Sequence, residues 1–154
     1  MSSYIHFFVR RNDTFIPIGT FGRSTRIYAA FEHMAPWERI RALNTDLLKF
    51  ARAYLKSEEE INREIDAAHA RINTIAAFNN GVDEKMAAID EVREEIKGWQ
   101  EFAHEEREAR AFIGFLYGIL DEAEYNSLEG FGASACLYVG MECGSDVSVK
   151  DIAE

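Results

Sequence analysis

Two apolar runs with alternating spacings of four and three, parted by a six-residue break, constrain this chain more than any other feature. In the first run Tyr54, Glu58, Ile61, Ile65, Ala68, Ile72 and Ile75 fall on one stripe of a helix. In the second, Ile89, Val92, Ile96, Trp99, Ala103, Glu106, Arg110, Ile113, Tyr117 and Leu120 keep the same alternation. The break, "NNGVDE" at 79–84, is a stop followed by a restart. Asn79, Asn80 and Gly81 suit a left-handed helix end, and Asp83 suits the next N-cap. So short a connection predicts an antiparallel helical hairpin, with Ile72 facing Ile89, Ile65 facing Ile96 and Ile61 near Trp99. At ~1.5 Å per residue the arm would be about 50 Å long.

The seam changes character away from the turn. Glu58, Glu106 and Arg110 occupy core-type positions. Beyond them "AFIGFLYGIL", 111–120, is apolar nearly all round and requires enclosure by strands. Gly114 and Gly118 offer places where another backbone can come close.

Strand signals flank the helices. "YIHFFVRR" and "FIPIGTF", joined by the turn signal "RNDT", predict a β-hairpin, with Pro17 at an edge or a bulge. "RIYAAFEHM" reads as a short helix, Pro36 stops it or starts the next, and "WERIRAL" reads as a further helical turn or two. "NTD" at 44–46 offers a fresh N-cap. "SACLYVGMEC" alternates, with Ala135, Leu137, Val139 and Met141 on one side and Cys136, Tyr138 and Glu142 on the other. It is expected to join the hairpin as a third strand.

The expected fold is therefore α+β. A small antiparallel sheet, made of the N-terminal hairpin and the C-terminal strand, packs with helices and carries a long antiparallel two-helix coiled-coil arm. Its 154 residues make one domain, with a head (1–43 and 109–144), a helical arm (44–108) and a loose polar tail (145–154).

Composition bounds the function. With 47% apolar and 29% charged residues, the chain is that of a soluble globular protein. No apolar run approaches the ~20 residues that span a bilayer, and the N-terminus does not read as a signal peptide. Two cysteines, Cys136 and Cys143, stand at an odd offset and would face opposite sides of one strand. No disulfide is expected, and a reducing cytoplasm is the natural compartment. The net charge of -10 is uneven: residues 1–41 hold six Lys/Arg against three Asp/Glu, and residues 42–154 hold eleven against twenty-four. An acidic body repels nucleic acid and suits basic protein surfaces.

"GTFGRSTRIYAAF" is the first candidate site. Ser24 or Thr25 caps a helix beginning near Arg26. Gly22 permits close approach, and Arg23 and Arg26 could clamp an anion at the helix N-terminus. The spacing is not that of a P-loop or a dinucleotide fingerprint. Two helical acid–histidine pairs, Asp66 with His69 and Glu101 with His104, resemble the ligand spacing of di-iron bundles. A hairpin turning near residue 80 would leave them roughly 18 Å apart, so no metal site is expected. The four histidines are scattered and no nucleophile motif is present, so neither catalysis nor a cofactor is expected. Aromatic residues crowd the N-terminal part (Tyr4, Phe7, Phe8, Phe15, Phe21, Tyr28, Phe31 and Trp37), with Arg10, Arg11, Arg23 and Arg26 nearby. Phe7, Phe15 and Phe21 are expected as core rather than as a base-stacking platform.

The expectation is a non-enzymatic, acidic, cytoplasmic binding protein acting by protein–protein contact. An inhibitor or regulator by which a phage or mobile element blocks a host defence machine fits that description. Its partner-binding surface would be Glu58, Glu59, Glu60, Glu94 and Glu95, against a basic host protein. Phe50, Phe78 and Phe102 on the arm's flank point to a homo-oligomer. The alternative is an oligomer that sequesters a small anionic ligand or nucleotide at Gly22, Arg23, Ser24, Thr25 and Arg26. Direct nucleic-acid binding is not expected. A third possibility is a structural adaptor whose arm sets a spacing.

Overall fold

Alternating β-formers on both sides of a tight turn make the expected hairpin, β1 (Ser3–Arg11) and β2 (Thr14–Gly22). Asn12 takes the turn with a φ of 53°, a left-handed conformation that asparagine tolerates better than most residues. The computed structural model describes residues 3–78, 81–126 and 136–143. By contact the chain divides into two units, one drawn from Met1–Leu55 and Glu108–Glu154, the other from Lys56–Arg107.

The first unit is built on a four-stranded antiparallel sheet of order β2-β1-β4-β3, where β3 is Ile40–Ala42 and β4 is Leu137–Cys143. β4 sits between β1 and β3, so the C-terminal strand joins the hairpin as expected. β3 corrects the helical reading of "WERIRAL". Glu38, at φ 54°, breaks any helix there, and Ile40, Arg41 and Ala42 pair with Gly140, Val139 and Tyr138. Gly140 is required at that crossing, because a Cβ would collide with the carbonyl oxygen of Arg39.

One sheet face makes the core. Ile5, Phe7, Leu137 and Val139 are fully buried there. Over them lie α1 (Arg26–Phe31), α2 (Thr45–Tyr54, capped by Asn44) and Ala109, Ile113 and Leu116 of the long helix α4 (Val82–Asn126). Phe112 meets Phe7 edge-on at 4.9 Å and Phe21 at 4.8 Å. It lies so close to the sheet that a Cβ on Gly19 would stand 3.0 Å from its ring. The α2 segment, expected to begin the arm, packs here through Leu48 and Ala51 instead.

Phe15 is not core, contrary to expectation. The β1–β2 register slips between Phe7 and Phe8, opposite Gly19 and Pro17. Pro17 thus sits beside a bulge on the edge strand β2, as expected, and the bulge inverts side-chain parity along β2. Phe15 therefore faces the other side of the sheet. There it meets Tyr138 at 5.1 Å and lies beneath the guanidinium of Arg10. The segment 111–120 is buried on one flank through Ile113 and Leu116, whereas Phe115 is 51% exposed. Gly114 and Gly118 meet no atom within 4 Å of an added Cβ, so they serve no close approach among the described residues.

The second unit is an antiparallel helical hairpin of α3 (Glu58–Ala77) and the Val82–Arg107 stretch of α4. Arg71 pairs with Glu95 at 2.7 Å, Arg107 with Glu58 at 3.8 Å, and Lys85 Nζ donates to the Ala76 carbonyl. Ala68, Val92 and Ile96 are buried in the seam, flanked by Ile65, Ile72 and Ile75. The first helix starts later than its periodicity suggests. Ser57 caps α3 by accepting from the Glu60 N–H, and Tyr54 belongs to α2. Glu106, the polar intruder at a core-type position, is fully buried, and its Oε2 accepts from the Lys56 N–H at 2.7 Å. α4 begins at Val82, so Asp83 lies in its first turn rather than at its cap. Asn79 and Asn80 of the expected helix stop, Ala135 of the expected strand face and the polar tail 145–154 lie outside the described residues.

Candidate functional site

The segment "GRSTR" resolves first into a cap. The Thr25 hydroxyl accepts from the Tyr28 N–H at 3.3 Å and donates to the Gly22 carbonyl at 2.7 Å. Thr25 is thus the N-cap of α1, a helix of only six residues and hence a weak anion site by itself. The Arg26 guanidinium lies 5.2 Å over the ring of Tyr54. Gly22 leaves ordinary room for a Cβ beside Tyr4, so no tight approach depends on it. Ser24 is exposed. The five residues do not form one anion cradle.

Arg23 stands apart from the rest of the group. It borders a cleft of about 460 Å³ in the sheet unit, with His33 and Trp37 also on its walls and Ser3, Tyr28 and Met141 beneath. Glu32 and Cys143 complete the rim. The Tyr28 hydroxyl donates to Ser3 Oγ at 3.0 Å, a buried bond that fixes the floor. Trp37 is 51% exposed, yet its backbone is held. The Met141 N–H donates to the Pro36 carbonyl at 2.9 Å, and the Glu38 N–H donates to the Met141 carbonyl at 2.8 Å. The sequence alone offers Trp37 only as one of a crowd of aromatic residues and does not single out His33, Glu32 or Cys143 for this cleft. The available signal was a tryptophan next to Pro36, outside any amphipathic pattern.

The acidic residues are all exposed but form two places rather than one surface. Glu58, Glu59 and Glu60 make the first turn of α3, where negative charge complements the helix dipole. Glu94 and Glu95 lie across from Arg71, about twelve residues, or roughly 18 Å, along α4 from the point where Glu58 meets Arg107. Glu58 and Glu95 are engaged in those ion pairs. Residues 56–107 hold seven Lys/Arg and fourteen Asp/Glu, a net charge of -7.

Asp66, His69, Glu101 and His104 are exposed, and no group of three or more metal-ligating side chains occurs among the described residues. Phe102 packs edge-on against Trp99 at 5.8 Å, and the two line a shallow apolar groove with Lys56. Cys136 is half-buried and Cys143 exposed, and neither is in a disulfide. Burial pushes the Cys136 thiol pKa up, with a smaller contribution from the Glu122 carboxylate. No helix of the described residues is long and apolar enough to cross a membrane. No protein-family model matches the chain, and no curated protein and no solved structure is significantly similar to it.

Proposed function

We propose that the chain is a non-enzymatic, cytoplasmic binding protein that acts through its acidic helical hairpin on a basic protein partner. A phage or mobile-element inhibitor directed at a host defence machine is the form this takes. The supporting observation is the charge of the hairpin unit, -7 over 52 residues, on helices whose buried seam is narrow and whose remaining faces meet solvent. Charge of that density accelerates and orients association with a basic surface. The test is capture from a bacterial extract at low and high salt with the wild-type chain and with a Glu59→Lys, Glu60→Lys, Glu94→Lys variant. A basic protein retained at low salt by the wild type and lost by the variant is the expected result. The same proteins on both, at both salt concentrations, would refute the reading.

Self-association belongs to the same proposal. Phe78, Val82 and Met86 are 58%, 75% and 49% exposed at one end of the hairpin, and Phe50 is 62% exposed on α2. These side chains favour a coiled-coil-like contact between copies. Native mass spectrometry should show a defined oligomer. A monomer at all concentrations would remove this part of the proposal.

A second reading is favoured by the cleft beside Arg23. Here the chain holds a small anionic ligand, and the site is no longer the helix N-terminus but the cleft that Arg23 and His33 both line. Arg23→Ala should abolish retention of such a ligand while leaving the fold intact. Unchanged retention would exclude the site.

A further inference from the structure

A tryptophan at half exposure is an unusual use of one of the largest apolar surfaces a side chain can carry. The backbone at Trp37 is tied to β4 by two bonds made by the residues on either side of it, Pro36 and Glu38. The residue that follows, Glu38, adopts φ 54°, a left-handed conformation that a side-chain-bearing residue enters at a cost. The backbone is therefore strained where the indole is presented. Below it, the buried Tyr28–Ser3 bond holds the cleft floor, and Arg23 lies two residues before the Thr25 cap of α1. About 460 Å³ lies within the ~300–1,000 Å³ typical of small-molecule sites.

The lining states a chemistry. An exposed indole face takes a planar aromatic ring by stacking. The Arg23 guanidinium takes a phosphate in bidentate fashion, with His33 adding a donor. Glu32, a carboxylate on the same rim, disfavours a polyanion and suits ligand hydroxyls, which donate to it. A ring, two hydroxyls and one phosphate together describe a nucleoside monophosphate. We infer that this cleft binds a nucleoside monophosphate, with the base against Trp37, the ribose hydroxyls on Glu32 and the phosphate on Arg23, and take AMP as the probe. The inference rests on the small-anion reading above and narrows it from any anion to one with a stacking ring.

The experiment is calorimetric titration of the full chain with AMP, with adenosine and with inorganic phosphate. It is run on wild type and on Trp37→Ala, Trp37→Phe and Arg23→Ala, each checked for fold by far-UV circular dichroism. Saturable one-to-one AMP binding is expected, with adenosine and phosphate each weaker by about tenfold or more. Trp37→Ala should lose AMP affinity by a similar factor, Trp37→Phe should restore most of it, and Arg23→Ala should remove the preference for AMP over adenosine. In a Trp99→Phe background, where Trp37 is the remaining tryptophan, AMP should quench the indole emission and phosphate should not. Phosphate binding as tightly as AMP, unaffected by Trp37→Ala, would overturn the stacking inference and leave the anion reading standing. Adenosine binding as tightly as AMP, or no binding of AMP and phosphate at millimolar concentration, would overturn both.

Discussion

The buried carboxylate of Glu106 gives the sharpest test of how the helical hairpin is held. It is fully buried, and its Oε2 receives the Lys56 N–H at 2.7 Å. That bond satisfies a backbone donor in the turn just ahead of α3, a place no intrahelical partner can reach. Glu106→Ala removes a hydrogen bond to a charged acceptor, worth about 1.5–3 kcal/mol, and because the bond is only partly buried the lower half of that range applies. It also removes one buried methylene, worth about 0.8 kcal/mol. The expected loss is about 2.5 kcal/mol. Glu106→Met restores the apolar contact but leaves the Lys56 N–H unmet, and should cost about 1–2 kcal/mol. Glu106→Gln keeps an acceptor in place and should cost about 1 kcal/mol.

Urea unfolding followed by far-UV circular dichroism gives the ranking, and amide exchange at Lys56 gives the local effect. Exchange there should accelerate in the Ala and Met variants and stay slow in the Gln variant. A Glu106→Ala protein within about 0.5 kcal/mol of wild type, the range of ordinary surface changes, would refute the argument. So would a Gln variant as unstable as the Ala variant.

Other expectations follow from single contacts. Gly140→Ala should disrupt the β3–β4 pairing, because the new Cβ meets the Arg39 carbonyl; loss of amide protection at Leu43, which donates to Leu137, would report it, and an intact pattern would contradict it. Ser57→Ala removes the α3 cap and should lower stability by about 1 kcal/mol, measured by urea unfolding, with Ser57→Asp restoring it. Iodoacetamide should modify exposed Cys143 before Cys136. Burial raises the Cys136 pKa, so its thiolate is scarcer at any given pH and its rate should climb only above the usual thiol range. Equal rates at pH 8, read by peptide mass spectrometry, would contradict this.

Much of the fold is legible in residue spacing. Ile65, Ala68, Ile72, Val92 and Ile96 lie where their period puts them, because a helix face is a local property of the chain. The β1–β2 hairpin and its edge proline follow from equally local turn chemistry. The misreadings have a common cause in contacts between distant segments. Residues 37–43 have helix-like composition, and only pairing with β4, a hundred residues later, makes them extended. Phe15 reverses sides because of a bulge that no alternation of apolar residues reveals. Trp37 becomes a cleft wall through backbone bonds to Met141, whereas Ser24, Thr25 and Arg26, adjacent to Arg23 in sequence, are turned to capping, solvent or the Tyr54 ring.

The claim that the acidic hairpin is the working surface is tested most directly by carboxylate footprinting, in which carbodiimide and glycine ethyl ester label exposed acids with and without the captured basic partner. Labelling of Glu59, Glu60 and Glu94 should fall several-fold in the complex, while Asp13 and Glu38 in the sheet unit keep their labelling. Unchanged labelling along the hairpin, with protection confined to the sheet unit, would contradict the account.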